Sequence, residues 1–161
     1  MSAAACTVPV GTLIAAPFYI EWGQTIQAKV TAKNIVNFSP ESDVGGTAII
    51  LTNPSAPVGL VTVPAITAAT QVGLTWFPGF LDGGSPVIDY TVAYGVQSGS
   101  YSTTLQGILT TSYTVTGLTA GTTYKFKVLA RNSYGVSIYS NEVIELAAQI
   151  PNKPFAPITL I

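Results

Sequence analysis

The feature that most narrows what this chain can fold into is that it repeats itself. Ala28-Lys29-Val30-Thr31-Ala32-Lys33-Asn34 lines up with Phe126-Lys127-Val128-Leu129-Ala130-Arg131-Asn132, and Ser39 and Ser42 fall on Ser137 and Ser140, at an offset of 98 residues. Upstream, Ile20-Glu21-Trp22-Gly23-Gln24-Thr25-Ile26 falls on Leu118-Thr119-Ala120-Gly121-Thr122-Thr123-Tyr124 at the same offset. Downstream, Pro54-Ser55-Ala56-Pro57 falls on Pro151-Asn152-Lys153-Pro154 with a shift of one. A fixed period of this length marks an array of similar units, each about the size of one small domain. A chain of 161 residues holds one whole unit and parts of its neighbours.

Between the two Pro-x-x-Pro segments, apolar residues recur with the period of two that sends alternate side chains to opposite faces of a strand. Val72, Leu74 and Trp76 alternate with Gln71, Gly73 and Thr75. Gly83-Gly84-Ser85-Pro86 breaks the pattern as a turn, since glycine accepts positive φ and proline presets the exit. Ile88, Tyr90, Val92 and Tyr94 then share one face, with Asp89, Thr91 and Ala93 on the other. Residues 112–116 read as a further strand. Tyr124, Phe126, Val128 and Ala130 oppose Thr123, Lys125, Lys127 and Arg131, and residues 142–147 close the unit. No helical period competes. Charged residues make up 8 % of the chain and the net charge is −1, so there is no electrostatic footprint for nucleic acid. No apolar run reaches the ~18 to 20 residues of a spanning helix, so membrane insertion is not expected. The start of the chain has no basic segment followed by an apolar one, and a secretion signal is expected outside it.

Several of these residues together resemble the fibronectin type III family. Pro57, Trp76, Gly83-Gly84-Ser85-Pro86, Tyr90 and Leu118-Thr119-Ala120-Gly121-Thr122-Thr123-Tyr124 stand in the family's order, and Arg131-Asn132-Ser133-Tyr134-Gly135 matches the loop that follows. The resemblance implies an all-β fold of tandem, immunoglobulin-like antiparallel β-sandwich modules. It implies a complete seven-stranded module over residues 55–150, with Trp76, Tyr90, Leu118, Tyr124, Phe126 and Val128 in its core. The Tyr124 hydroxyl would bond back to the turn ahead of its strand. Residues 1–54 then read as the C-terminal half of a preceding module, in which residues 28–33 form a strand and Ile26 replaces the corner tyrosine. Residues 151–161 read as a linker and the first strand of a following module. Residues 27–34 and 146–154 also resemble the tandem repeats of very long surface proteins of ciliated protists, which implies an extracellular or cell-surface scaffold.

The candidate sites are few. The chain has no histidine and a single cysteine, Cys6, so it lacks both a base poised near neutral pH and a metal-binding cluster. A non-enzymatic protein without cofactor or metal is expected. Cys6 reads either as a buried thiol or as half of a disulfide with an external partner. The carboxylates Glu41 with Asp43, and Glu142 with Glu145, fit no acid–base or metal pattern and read as solvated. Lys125, Lys127 and Arg131 read as a solubilising stripe or, alternatively, as a surface for acidic sugars. Tyr94, Tyr101, Tyr134 and Tyr139 divide between core packing and a surface for stacking glycans. Asn37-Phe38-Ser39 is an N-glycosylation sequon on Asn37 if the chain is secreted. Three roles stay open: a structural array whose partners are neighbouring modules or adjacent copies in a fibre, a glycan- or protein-binding module, and an accessory domain of a secreted enzyme.

Overall fold

The alternating segments pair into two facing sheets in the computed structural model, which describes residues 5–149, 151 and 153–156. In chain order the elements are α1 (Val10–Ile14), β1 (Thr25–Ile26), β2 (Ala48–Ile49), β3 (Val58–Ala68), β4 (Gln71–Phe77), β5 (Asp89–Val96), β6 (Thr103–Ile108), β7 (Ser112–Thr116), β8 (Thr123–Arg131) and β9 (Val143–Leu146). One sheet runs β3-β4-β7 and the other β6-β5-β8-β9, all pairs antiparallel. This is a seven-stranded all-β sandwich, with strands that exchange sheets along the chain. β1 and β2 form a separate two-stranded ribbon. The helix α1 is five residues long, with no buried residue.

The core lies where the apolar faces of β4 and β7 meet those of β5 and β8. Trp76, Tyr90, Leu118, Tyr124, Phe126 and Val128 all belong to it. The Trp76 ring meets Tyr90 edge to face at 5.6 Å, the arrangement that aromatic quadrupoles favour. The Trp76 indole N–H is buried without a hydrogen-bond partner among the described residues, so apolar burial of the ring must outweigh that desolvation. The Tyr124 hydroxyl accepts the Thr119 N–H at 3.1 Å, tying β8 to the turn that precedes it.

Two expectations from alternation need correction. Ile88 lies ahead of β5 and is exposed, whereas Asp89, Thr91 and Ala93 are buried. Alternation misjudges this strand because β5 is central in its sheet, flanked by β6 and β8. Its small outward residues sit beside longer ones, with Ala93 opposite Lys127, and the Asp89 carboxylate is closed off by Arg131 across the strand pair. The second correction concerns residues 28–33. Among the described residues the β-bridge pairing of this segment is the isolated bridge between Lys33 and Phe38, and the ladder of β1 with β2 ends before it, at Ile26. Ala28, Val30 and Ala32 are exposed, Val30 by 70 %, because no sheet among the described residues faces them. In the reading of 154–161 as an opening strand, residues 157–161 lie outside the described residues, and residues 153–156 form no strand.

The internal repeat nonetheless has a structural counterpart. β1 and β2 pair Thr25 with Ile49 and Ile26 with Ala48, as β8 and β9 pair Thr123 with Leu146 and Tyr124 with Glu145. Ser42 Oγ accepts the Val30 N–H at 3.0 Å and Ser39 Oγ that of Ala32 at 3.0 Å. Ser140 Oγ accepts the Val128 N–H at 3.0 Å and Ser137 Oγ that of Ala130 at 2.9 Å. The bridge of Lys33 to Phe38 likewise repeats that of Arg131 to Val136. Residues 21–50 are thus a second copy of the hairpin that closes the sandwich.

Candidate functional site

The most constrained polar cluster lies where this hairpin meets the sandwich. Ile50, buried at the hairpin's end, donates its N–H to Gln24 O at 3.1 Å and accepts that of Gly23 at 2.7 Å. The chain then runs along the loop after β4. Thr52 N–H donates to Gly83 O at 2.9 Å and Ser55 N–H to Leu81 O at 2.8 Å, a short ladder that fixes the linker against the loop.

Asn132, just past β8, locks this contact. It is 3 % exposed. Its side-chain amide donates to Thr52 O at 2.8 Å and to Asp82 O at 2.7 Å. Its Oδ1 accepts the N–H groups of Tyr134 and Gly135, each at 2.9 Å. A carboxamide has two donor hydrogens and two acceptor lone pairs, and all four are used here. Gly83 and Gly84 admit the close approach. Their φ angles are +75° and +82°. A Cβ on Gly83 would lie 2.2 Å from Thr52 O, and one on Gly84 would lie 2.2 Å from Gly23 N. Beside the joint opens a cleft of about 540 Å³, lined by Tyr19, Trp22, Leu81 and Gly84 among others. Nothing in this arrangement activates a nucleophile or moves a proton. It holds two pieces of backbone in one relative orientation.

The other candidate residues are scattered. Cys6 is exposed, which removes the buried-thiol reading. Asn37 is exposed, and its Oδ1 accepts the Phe38 N–H at 2.8 Å. Glu41 pairs with Lys29 at 2.9 Å on the surface. Glu142 accepts the Tyr101 hydroxyl proton, and Glu145 accepts that of Thr62 at 2.6 Å, linking β9 to β3. Burial first, and then the Glu142 carboxylate, push the Tyr101 hydroxyl well above its usual range. Lys127 Nζ lies 3.8 Å from the Tyr101 ring centre and 3.9 Å from that of Tyr139, with Lys125 also over Tyr101. Both rings thus take part in cation–π contacts with the lysines of β8. Tyr94 stacks on Phe126, and Tyr134 is exposed. Arg131 grips Asp89 with two nitrogens, and its hydrogen bond holds the buried carboxyl below its ordinary value of 3.8. Among the described residues no group of three or more His, Cys, Asp or Glu side chains gathers as for a metal, and no helix is long and apolar enough to cross a membrane.

Sequence reasoning did not assemble the joint. The signal was present in two separate places, the Gly83-Gly84 turn and the recurrence of Asn34 as Asn132. What linked them was a linker carbonyl, which no side-chain pattern reports. Asn34 repeats half the geometry: its Oδ1 accepts the N–H groups of Val36 at 2.8 Å and Asn37 at 3.0 Å.

Comparison with known proteins agrees with this architecture. The family model described as "Fibronectin type III domain" matches residues 55–145. The chain is 34 % identical over 103 residues to Protein sidekick-1 of Gallus gallus, covering 63 % of the chain and 5 % of that protein. It is 31 % identical over 133 residues to Exoglucanase B of Cellulomonas fimi, covering 79 % of the chain and 11 % of that protein. The chain therefore spans a small part of the relatives it matches. A crystal structure of a multi-domain titin segment is similar with a TM-score of 0.56 and 26 % identity, covering 74 % of this chain and 39 % of that one.

Proposed function

The chain belongs to the fibronectin type III family, and we propose that it works as a non-enzymatic spacer, a segment of a tandem array whose units are seated on one another through a stiff joint. The observation that carries this reading is the Asn132 clamp. A flexible connector would leave its backbone to water, whereas here Thr52 and Ser55 are bonded to the loop and Asn132 is spent on holding it. Short, polar-bonded joints of this kind transmit orientation from one unit to the next, which is what a fibre, coat or stalk requires. The absence of histidine from the sequence supports a role without acid–base chemistry.

The resemblance of residues 27–34 and 146–154 to the surface arrays of ciliated protists supports an extracellular or cell-surface setting, where Cys6 would be available for a bridge to another chain and Asn37 for a glycan. The similarity to Exoglucanase B favours a second reading, an accessory module beside a catalytic domain. The two readings part on stiffness. Backbone ¹⁵N relaxation on the chain is expected to give residues 24–49 and the sandwich one common rotational correlation time. A distinctly shorter correlation time for the hairpin would defeat the spacer reading.

A further inference from the structure

The structure holds one surface whose natural cover is visible in the same molecule. Residues 21–50 copy the β8–β9 hairpin in its ladder pairs, its two serine-to-backbone bonds and its asparagine turn. In the sandwich, the face of β8 that carries Tyr124, Phe126, Val128 and Ala130 is buried. The equivalent face, Ile26, Ala28, Val30 and Ala32, has only Ile26 half-buried. What covers β8 is the β3-β4-β7 sheet opposite, while β5 takes its free edge through eight residue pairs from Asp89 with Arg131 to Val96 with Tyr124. Residues 27–32 have no strand on the corresponding edge among the described residues.

We infer that the 21–50 hairpin closes a second sandwich, and that its apolar face and open edge are covered by five antiparallel strands of the kind β3 to β7 form, ahead of it in the array. This deepens the spacer reading and rests on it. The volume of the face adds a condition. Ile26 and Ala28 stand where the complete module has Tyr124 and Phe126, so the covering strands must carry larger inward side chains than β4 and β5 do. A second copy of this hairpin, face to face, would leave each of the two sheets with two strands, fewer than the three a sheet needs for independent stability.

The test joins residues 55–118 directly to Glu21 in place of residues 1–20, reproducing the Leu118-to-strand connection, with Ile26→Tyr and Ala28→Phe to restore the side chains those strands fit. Hydrogen exchange at residues 27–33 is expected to slow by roughly 100-fold or more relative to the unmodified chain, with a second cooperative unfolding transition. Adding Trp76→Ala in the inserted copy alone should abolish that second transition and leave the first. Unchanged exchange at residues 27–33 while the 55–146 sandwich keeps its own transition would overturn the inference. So would concentration-dependent protection of those residues in the unmodified chain together with a dimer in sedimentation, because a second copy would then be the cover. Failure of the spacer reading shows elsewhere, in the relaxation of the joint.

Discussion

Asn132→Ala is the substitution that separates the joint from the fold. It removes four hydrogen bonds, two to the carbonyls of Thr52 and Asp82 and two from the N–H groups of Tyr134 and Gly135. Asp82 and Tyr134 are exposed residues, so water can recover part of the loss, while Gly135 and Thr52 are half-buried. At a net value of about 0.5–1.5 kcal/mol per bond, and with partial rescue by water, the cost is about 2–4 kcal/mol. For a domain of this size that lowers Tm by roughly 10–25 °C. Asn34→Ala is the internal control, since Asn34 makes the same two turn bonds on an exposed hairpin and should cost about 0.5 kcal/mol or less. Asn132→Asp keeps the acceptor for Tyr134 and Gly135 but turns a carboxylate toward two carbonyls, so the joint should loosen while the turn survives. Urea unfolding followed by tryptophan fluorescence gives the stabilities, and ¹⁵N relaxation reports whether the hairpin still tumbles with the sandwich. Equal costs for Asn132→Ala and Asn34→Ala, or a joint that stays stiff in Asn132→Asp, would refute the reasoning.

Trp76→Ala empties the centre of the core and should cost about 3–5 kcal/mol, most of a small domain's margin, read as a lower urea midpoint. Gly83→Ala combines a strained φ with a Cβ aimed at Thr52 O, and is expected to shift amide resonances of residues 50–55 while leaving those of β5 and β8 in place. Acid titration tests the Asp89–Arg131 pair. Because folding depresses the Asp89 pKa, its contribution is full above the unfolded value of about 4 and is lost as pH falls through the folded value. Asp89→Asn should therefore be less stable at pH 7 and lose less stability below about pH 4, a difference measurable as Tm against pH.

The sandwich was legible in the sequence because its strands obey two simple rules at once. Residues 71–76 and 123–131 alternate, and the breaks between strands carry Gly83-Gly84-Ser85-Pro86 and Leu118-Thr119-Ala120-Gly121, whose backbone preferences end strands. Reading failed where a residue's environment is decided by its neighbours across the sheet. Ala93 and Thr91 lie on the outer face of a central strand and are buried by longer flanking side chains, and Asp89 is buried because Arg131 satisfies it. The joint escaped for a related reason: its acceptors are main-chain carbonyls at Thr52 and Asp82, and these carry no residue signature.

The two copies of the closing hairpin separate local order from packing. Ser39, Ser42 and Asn34 make the same backbone bonds as Ser137, Ser140 and Asn132, although one set is exposed and the other lies against a core. Those bonds span at most 12 residues and need no partner sheet, so they fix the hairpin's shape wherever the sequence occurs. Burial does not repeat, because it depends on strands contributed from much farther along the chain. Phe126 is fully buried and its counterpart Ala28 is exposed, yet Ala28 O accepts the Gly45 N–H across its hairpin where Phe126 pairs with Val143 across the other. An exposed hairpin that keeps the turn chemistry of a buried one has its shape without a facing sheet. If the proposed array holds, each unit would present a formed edge to the strands that complete it, with the register set by local hydrogen bonds and the stability of the unit by what packs on its face.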